Sequence, residues 1–193
     1  MKDLEKRALE YATLKHKGVY RKGKNHEPYI NHPVRVAELV KKYKGDSKEI
    51  EFLVAVAYLH DTLEDTDATF EELVDKFGIQ VASLVQELTS NEDIKKEIGK
   101  EKYLAIKLKN LSSWALLIKL CDRLDNISDL DKMNEKFRNR YIHETKYIIF
   151  YLLNDREVSK THLDVIKDIT NTLRRYSLKD LEKEKVKSYL PKK

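Results

Sequence analysis

His60 and Asp61 stand side by side in Leu59-His60-Asp61-Thr62-Leu63-Glu64-Asp65-Thr66, with two more carboxylates one turn further on. Neighbours on a helix point about 100° apart, so an imidazole and an adjacent carboxylate converge only on something lying between their directions. A cation meets that description. On a continuous helix Glu64 would lie below His60 and Asp65 below Asp61, each at i, i+4. Two other segments supply matching groups. Glu27-Pro28-Tyr29-Ile30-Asn31-His32-Pro33 puts His32 at a helix start, with Pro33 suited to the first turn and Asn31 as a cap. Ile118-Lys119-Leu120-Cys121-Asp122-Arg123-Leu124-Asp125-Asn126 sets Asp122 in an apolar stretch, with Asn126 one turn on and Asp129 another. An acid there is costly unless it is paired, hydrogen-bonded or bound to a metal. His32, His60, Asp61 and Asp122 together make a mixed nitrogen and oxygen set for a divalent ion. Beside such a centre, Glu64 and Asp65 could orient a water or accept its proton. Asn126, on the same stripe as Asp122, could bond a ribose or phosphate oxygen.

The elements that must carry these groups read as helices throughout. An amphipathic pattern covers residues 2–17, and Gly18 to Tyr29 reads as a loop. Helices are predicted over 33–44 and from Ser47, as N-cap, to the His60-Asp61 pair, behind the apolar run Phe52 to Leu59. Thr69-Phe70-Glu71-Glu72 looks like a capping box opening a short helix closed by Gly78. Another helix spans about 80–89. Ser90 to Asn110 is the most polar stretch and carries no assignment. Helices over 112–129, 134–153, 159–175 and 178–189 complete the chain.

Composition suits a small helical enzyme. The chain has 193 residues, 41% apolar and 37% charged, with only five glycines and three prolines. One large domain over 1–193 is the natural expectation, with a core of about 5–155 and a helical extension of about 156–193. The single cysteine, Cys121, can form no internal disulfide, and its apolar neighbours predict a buried thiol. No signal peptide and no apolar run of membrane-spanning length is visible, so a cytoplasmic protein is expected, with no membrane partner. The net charge of +5 lies within residues 174–193, which hold eight Lys/Arg against three Asp/Glu. Nucleic-acid binding would need a basic face on the folded body, and none is predicted. No feature specifies an oligomer.

The order H…HD…D, carried by PYINHP, YLHDTLEDT and IKLCDRLDN, resembles the HD-domain hydrolases of the RelA/SpoT type. Among these are the small stand-alone alarmone hydrolases that include the metazoan SpoT homologue. The similarity runs from about residue 5 to residue 130. It implies an all-α HD-domain helical bundle and a metal-dependent hydrolase. The expected reaction removes the 3′-pyrophosphate of (p)ppGpp to give GDP or GTP and pyrophosphate. It implies Mn²⁺ at the four-residue site, where ligand chemistry alone would also accept Fe²⁺, Co²⁺, Ni²⁺ or Zn²⁺. It assigns the Glu64-Asp65 pair to catalysis and Arg21-Lys22 to the nucleotide. The loop holds Lys15, Lys17, Arg21, Lys22 and Lys24 within ten residues, groups suited to a substrate with several phosphates. Lys102, Tyr103 and Lys107 are further candidates for the pocket.

Two positions depart from the family pattern. Asp125 replaces an aromatic residue or His, and Ser128 stands where Arg is common; both are expected to bear on the nucleoside. Two other readings stay open: the same fold acting on NADPH or a nucleoside monophosphate, and a non-catalytic module that senses metal and nucleotide. Only about 63 residues follow residue 130, too few for a second catalytic domain that would make the alarmone.

Overall fold

The computed structural model describes residues 3–21 and 26–189, with side chains as far as Tyr176. Every named element among them is helical, apart from an isolated antiparallel bridge between Tyr20 and Pro28. The helices are α1 (Asp3–Lys15), α2 (Asn31–Lys44), α3 (Ile50–Leu59), α4 (Thr62–Asp65), α5 (Phe70–Phe77), α6 (Ile79–Leu88), α7 (Glu92–Ile98), α8 (Lys100–Asn110), α9 (Ser113–Ser128), α10 (Glu135–Asp155) and α11 (Lys160–Tyr189). None of the described helices is long and apolar enough to cross a membrane.

The centre of the bundle is α3. All seven residues from Leu53 to Leu59 are buried, and a helix that is apolar on every side must be covered on every side. Helices α1, α2, α6 and α9 supply that cover. The second buried element is α9, which packs against α2, α3, α6, α10 and α11. Its start is capped by Ser112, whose hydroxyl accepts from the Ala115 amide, and Cys121 is buried within it. These two helices deliver His60-Asp61 and Asp122 to the same region, and the start of α2 brings His32.

Several sequence expectations change. Helix α3 ends at Leu59, so His60 and Asp61 occupy a break before the single turn of α4. The Thr62 hydroxyl takes up the Leu59 carbonyl at 2.7 Å. The Asp65 amide bonds the Asp61 carbonyl at 2.9 Å, so that pair does share one turn. The Glu64 amide bonds Asp61 rather than His60, so Glu64 does not stack below His60. Asn31 is the first residue of α2, not its cap, and Ser47 forms a turn ahead of α3. The Thr69 hydroxyl does cap α5 by accepting from the Glu72 amide, but the Glu72 carboxylate pairs with Lys15. Polar Ser90 to Asn110 folds as α7 and α8, separated by Gly99 at φ +85°. Asn91 caps α7 through two amides. The chain from 159 to 189 forms one helix instead of two, since it contains no glycine or proline. Three contacts pin α11: the Tyr176 hydroxyl to the Ile127 carbonyl, Asp168 to Tyr43 and Lys42, and His162 to the Ser113 carbonyl.

A buried ion pair joins α9 to α10. Arg123 Nη1 donates to Glu144 Oε1 at 2.7 Å, and the guanidinium lies 4.5 Å from the Tyr141 ring centre. Removing the acid strands a buried cation, so Glu144→Ala is expected to destabilise the fold by about 3–5 kcal/mol. Chemical denaturation of metal-free protein measures this; a loss below about 1 kcal/mol, the level of an exposed pair, would show that water reaches the guanidinium.

Candidate metal centre

The two imidazoles are prepared as ligands by what their far nitrogens do. His60, at the end of α3, is 1% exposed, and its Nδ1 lies 2.8 Å from the Ala57 carbonyl. A carbonyl only accepts, so Nδ1 carries the proton and Nε2 keeps a lone pair. That Nε2 is buried without a hydrogen-bond partner, although Asp61 Oδ2 lies 2.9 Å away. An unprotonated nitrogen facing a carboxylate oxygen is repulsive unless a cation stands with them. His32, at the start of α2, is equally buried. Its Nδ1 meets Asp125 Oδ2 at 2.6 Å, while Nε2 faces Asp122 Oδ1 at 3.2 Å and Asp61 Oδ2 at 3.5 Å. His32, His60 and Asp122 each offer one ligand atom within 4.8 Å of the others. Asp61 flanks both imidazoles from beside that trio. The donor set thus fits a divalent ion, and the orphaned His60 nitrogen is the atom that most needs one.

The field around the carboxylates is arranged to keep them ionised. Burial alone would raise the Asp122 pKa, but the Lys119 ammonium 3.0 Å away and the bond to His32 hold it well below the carboxylate range. Burial would raise the Asp61 pKa likewise, and contact with His32 helps to hold it low. Burial opposes charge on His32 too, yet bonds to Asp122, Asp125 and Asp61 push its pKa well up when no metal competes for Nε2.

Glu64 and Asp65 occupy different environments. The Tyr29 hydroxyl lies 2.7 Å from both Asp61 Oδ2 and Asp65 Oδ2, and its one proton can serve only one of them at a time. Burial and the charges of Asp61 and Glu64 raise the Asp65 pKa against that bond. Glu64 is exposed and accepts the Ser90 amide at 3.0 Å. Behind Tyr29, the buried His16 ring packs at 4.7 Å with neither nitrogen partnered.

The loop after α1 turns at Gly18, φ +79°, and folds back through the Arg21 amide to the Glu27 carbonyl at 2.8 Å. That brings Arg21 across to α9, where its Nη2 donates to Asn126 Oδ1 at 3.0 Å. Asn126 in turn donates to Asp122. Lys22 lies outside the described residues. Lys102 is exposed, and the buried Tyr103 hydroxyl accepts the Asn91 amide. Lys107 is half-buried near Lys119 and Glu64, and burial, reinforced by Lys119, lowers its pKa to about 8.

The sequence reading missed Tyr29, Lys119 and Arg35. Tyr29 lies within the motif that carries His32, three positions ahead, and Lys119 three positions before Asp122; one helical turn was the available signal. The Asp125 carboxylate meets His32 and Arg35, because burial forces it onto the nearest donors. Ser128 bonds the Leu124 carbonyl of its own helix.

Comparison with known proteins places the chain in a family. The HD-domain family profile matches residues 8–157. A zebrafish (Danio rerio) protein named guanosine-3′,5′-bis(diphosphate) 3′-pyrophosphohydrolase MESH1 is 39% identical over 124 residues, covering 64% of this chain and 67% of that one. A pyrophosphohydrolase of the same name without the MESH1 suffix, from Aquifex aeolicus, is 36% identical over 95% of this chain, which spans 25% of its length. Among solved structures, one described as a metazoan ortholog of SpoT that hydrolyzes ppGpp superposes with a TM-score of 0.76 at 28% identity. It covers 92% of this chain and 98% of its own.

Replacing Asp61 by Ala removes the carboxylate beside both imidazoles and leaves the Tyr29 hydroxyl to Asp65 alone. The variant is expected to retain its helical circular dichroism and lose bound metal. A full equivalent of metal found by elemental analysis after dialysis would take Asp61 out of the ligand set.

Proposed function

The chain belongs to the HD-domain family, and we propose that it hydrolyses the 3′-pyrophosphate of (p)ppGpp, an alarmone of the stringent response, with Mn²⁺ as its working ion. The observation that carries this reading is the buried meeting of two imidazoles and two carboxylates, with His60 Nε2 left without a partner. The names of the zebrafish and Aquifex relatives, and the described activity of the metazoan structure, supply the substrate.

His32, His60, Asp61 and Asp122 would hold the ion. Bound there, it supplies Lewis-acid polarisation of a phosphoryl oxygen and lowers the pKa of an adjacent water. The chain's own groups then do the proton work. Water attacks the ribose-proximal phosphorus of the 3′-pyrophosphate; its oxygen bonds to phosphorus as the bond from phosphorus to the 3′-oxygen breaks. The water proton goes to the Glu64-Asp65 pair, and the departing 3′-oxygen takes up a proton in its place, from that protonated pair by way of solvent, to leave as GDP or GTP. Asp65 suits that exchange because its raised pKa brings it closer to the working pH, and Tyr29 holds it beside Asp61. Arg21, Lys22 and Asn126 receive the phosphates and ribose. Arg21 is already drawn to the site by Asn126, so substrate binding exchanges that bond for one to a phosphate oxygen.

Glu64→Gln and Asp65→Asn keep shape but accept no proton, so metal content should persist while kcat falls by about 10²–10⁴. Asp65 should show the larger loss, because Tyr29 links it to Asp61 whereas Glu64 is already engaged with Ser90. Wild-type turnover in both variants would make the acids structural.

Products resolved by ion-exchange chromatography should be GDP and pyrophosphate from ppGpp in Mn²⁺. Arg21→Ala with Lys22→Ala should raise KM more than it lowers kcat, since these groups bind ground and transition states alike. Orthophosphate as the sole small product, or release from NADPH without turnover of ppGpp, would redirect the assignment to another phosphorylated nucleotide.

A further inference from the structure

Asp125 stands where the family pattern commonly has an aromatic residue or His, and it is 5% exposed. A carboxylate buried beside a metal centre is costly unless its oxygens are filled, and here they are filled in a directed way. Oδ2 takes His32 Nδ1 at 2.6 Å. Oδ1 takes Arg35 Nε at 2.6 Å, and Arg35 Nη2 reaches Oδ2 at 3.2 Å, a two-pronged contact from the next turn of α2. Arg35 is not free to swing. Its remaining donors are engaged by Glu27, from the loop carrying Arg21, and by Asp129 at 3.2 Å. His32, Arg35 and Asp125 therefore form one closed unit across α2 and α9.

The two imidazoles of the centre are consequently unequal. His60 leans on a neutral backbone carbonyl, whereas His32 leans on a carboxylate. A full negative charge on Nδ1–H makes the imidazole a stronger donor through Nε2 and locks the ring's tautomer and tilt. An aromatic residue at position 125 offers no comparable acceptor. The planar guanidinium holds the carboxylate at two points, which a lysine could not do.

Resting on the metal-centre reading above, we propose that Asp125, braced by Arg35, is a positioning unit that orients His32 and tightens its grip on the ion. The unit reaches the centre through His32 Nδ1. Its effect is on metal retention first and on turnover only through it.

The test is Mn²⁺ affinity of the full chain, read from free Mn²⁺ by electron paramagnetic resonance during titration. Asp125→Asn keeps shape and an acceptor but drops the charge, and should weaken binding by about 10–100-fold. Arg35→Lys should lose less than Arg35→Gln, a graded rescue that simple loss of packing does not produce. Since Asp125→Leu leaves Arg35 without a main partner and risks unfolding, the double change Asp125→Leu with Arg35→Leu removes both charges together and should match the Asn variant. In Zn²⁺-loaded protein, long-range ¹H–¹⁵N correlation should show His32 protonated at Nδ1 with a far-downfield proton, moved upfield in Asp125→Asn. Wild-type Mn²⁺ affinity in both Asp125→Asn and the double variant would overturn the proposal while leaving the metal centre standing. Failure of the wild-type chain to bind Mn²⁺ or Zn²⁺ would instead bring down the metal reading, and the proposal with it.

Discussion

Two imidazoles and two carboxylates are buried within a few ångströms of one another, and the cost of keeping them there governs the architecture around them. Each carboxylate has cations or donors assigned to it, and each imidazole has its second nitrogen engaged elsewhere. The far partners come from different elements: Ala57 from α3, Asp125 and Lys119 from α9, Tyr29 from the loop into α2. No one helix can build this centre. The bundle has to bring α2, α3 and α9 together, and the apolar run Leu53 to Leu59 of α3 does so, because it would otherwise face water along its length.

Placing His60 and Asp61 where α3 breaks, rather than within it, has a chemical consequence. Inside a regular helix the two side chains diverge by about 100°. The break lets both point toward the start of α2, while the single turn of α4 keeps Asp65 bound to the Asp61 carbonyl. The Tyr29 hydroxyl then ties Asp61 to Asp65.

A second charge system surrounds the first. Glu27, Arg35, Asp125, Asp129 and Lys132 link the loop, α2 and the end of α9, and Arg21 reaches into the same group. The loop that carries Arg21 is therefore fastened to the helix that carries Asp122 and Asn126. Ordering of the loop and ordering of the metal centre share contacts.

Much of this was legible along the chain. The apolar run from Phe52 to Leu59, the acid set among the leucines of α9 and the His-Pro helix start each carried a local signal, and together they located the four central residues. Asn91 and Gly99 punctuate α7 and α8, yet the polar surface of that segment concealed its helices, since helical pairing there follows from packing of α8 on α7 and α10. The direction of Asp125 and the meeting of His60 with His32 depended on neighbours far away in sequence. Residue types and spacing determined which groups could do chemistry, because periodicity and polarity are local properties. Only the tertiary structure decided which nitrogen faces the centre and which acid supports it, because a side chain's hydrogen-bond partner is set by the helix packed against it.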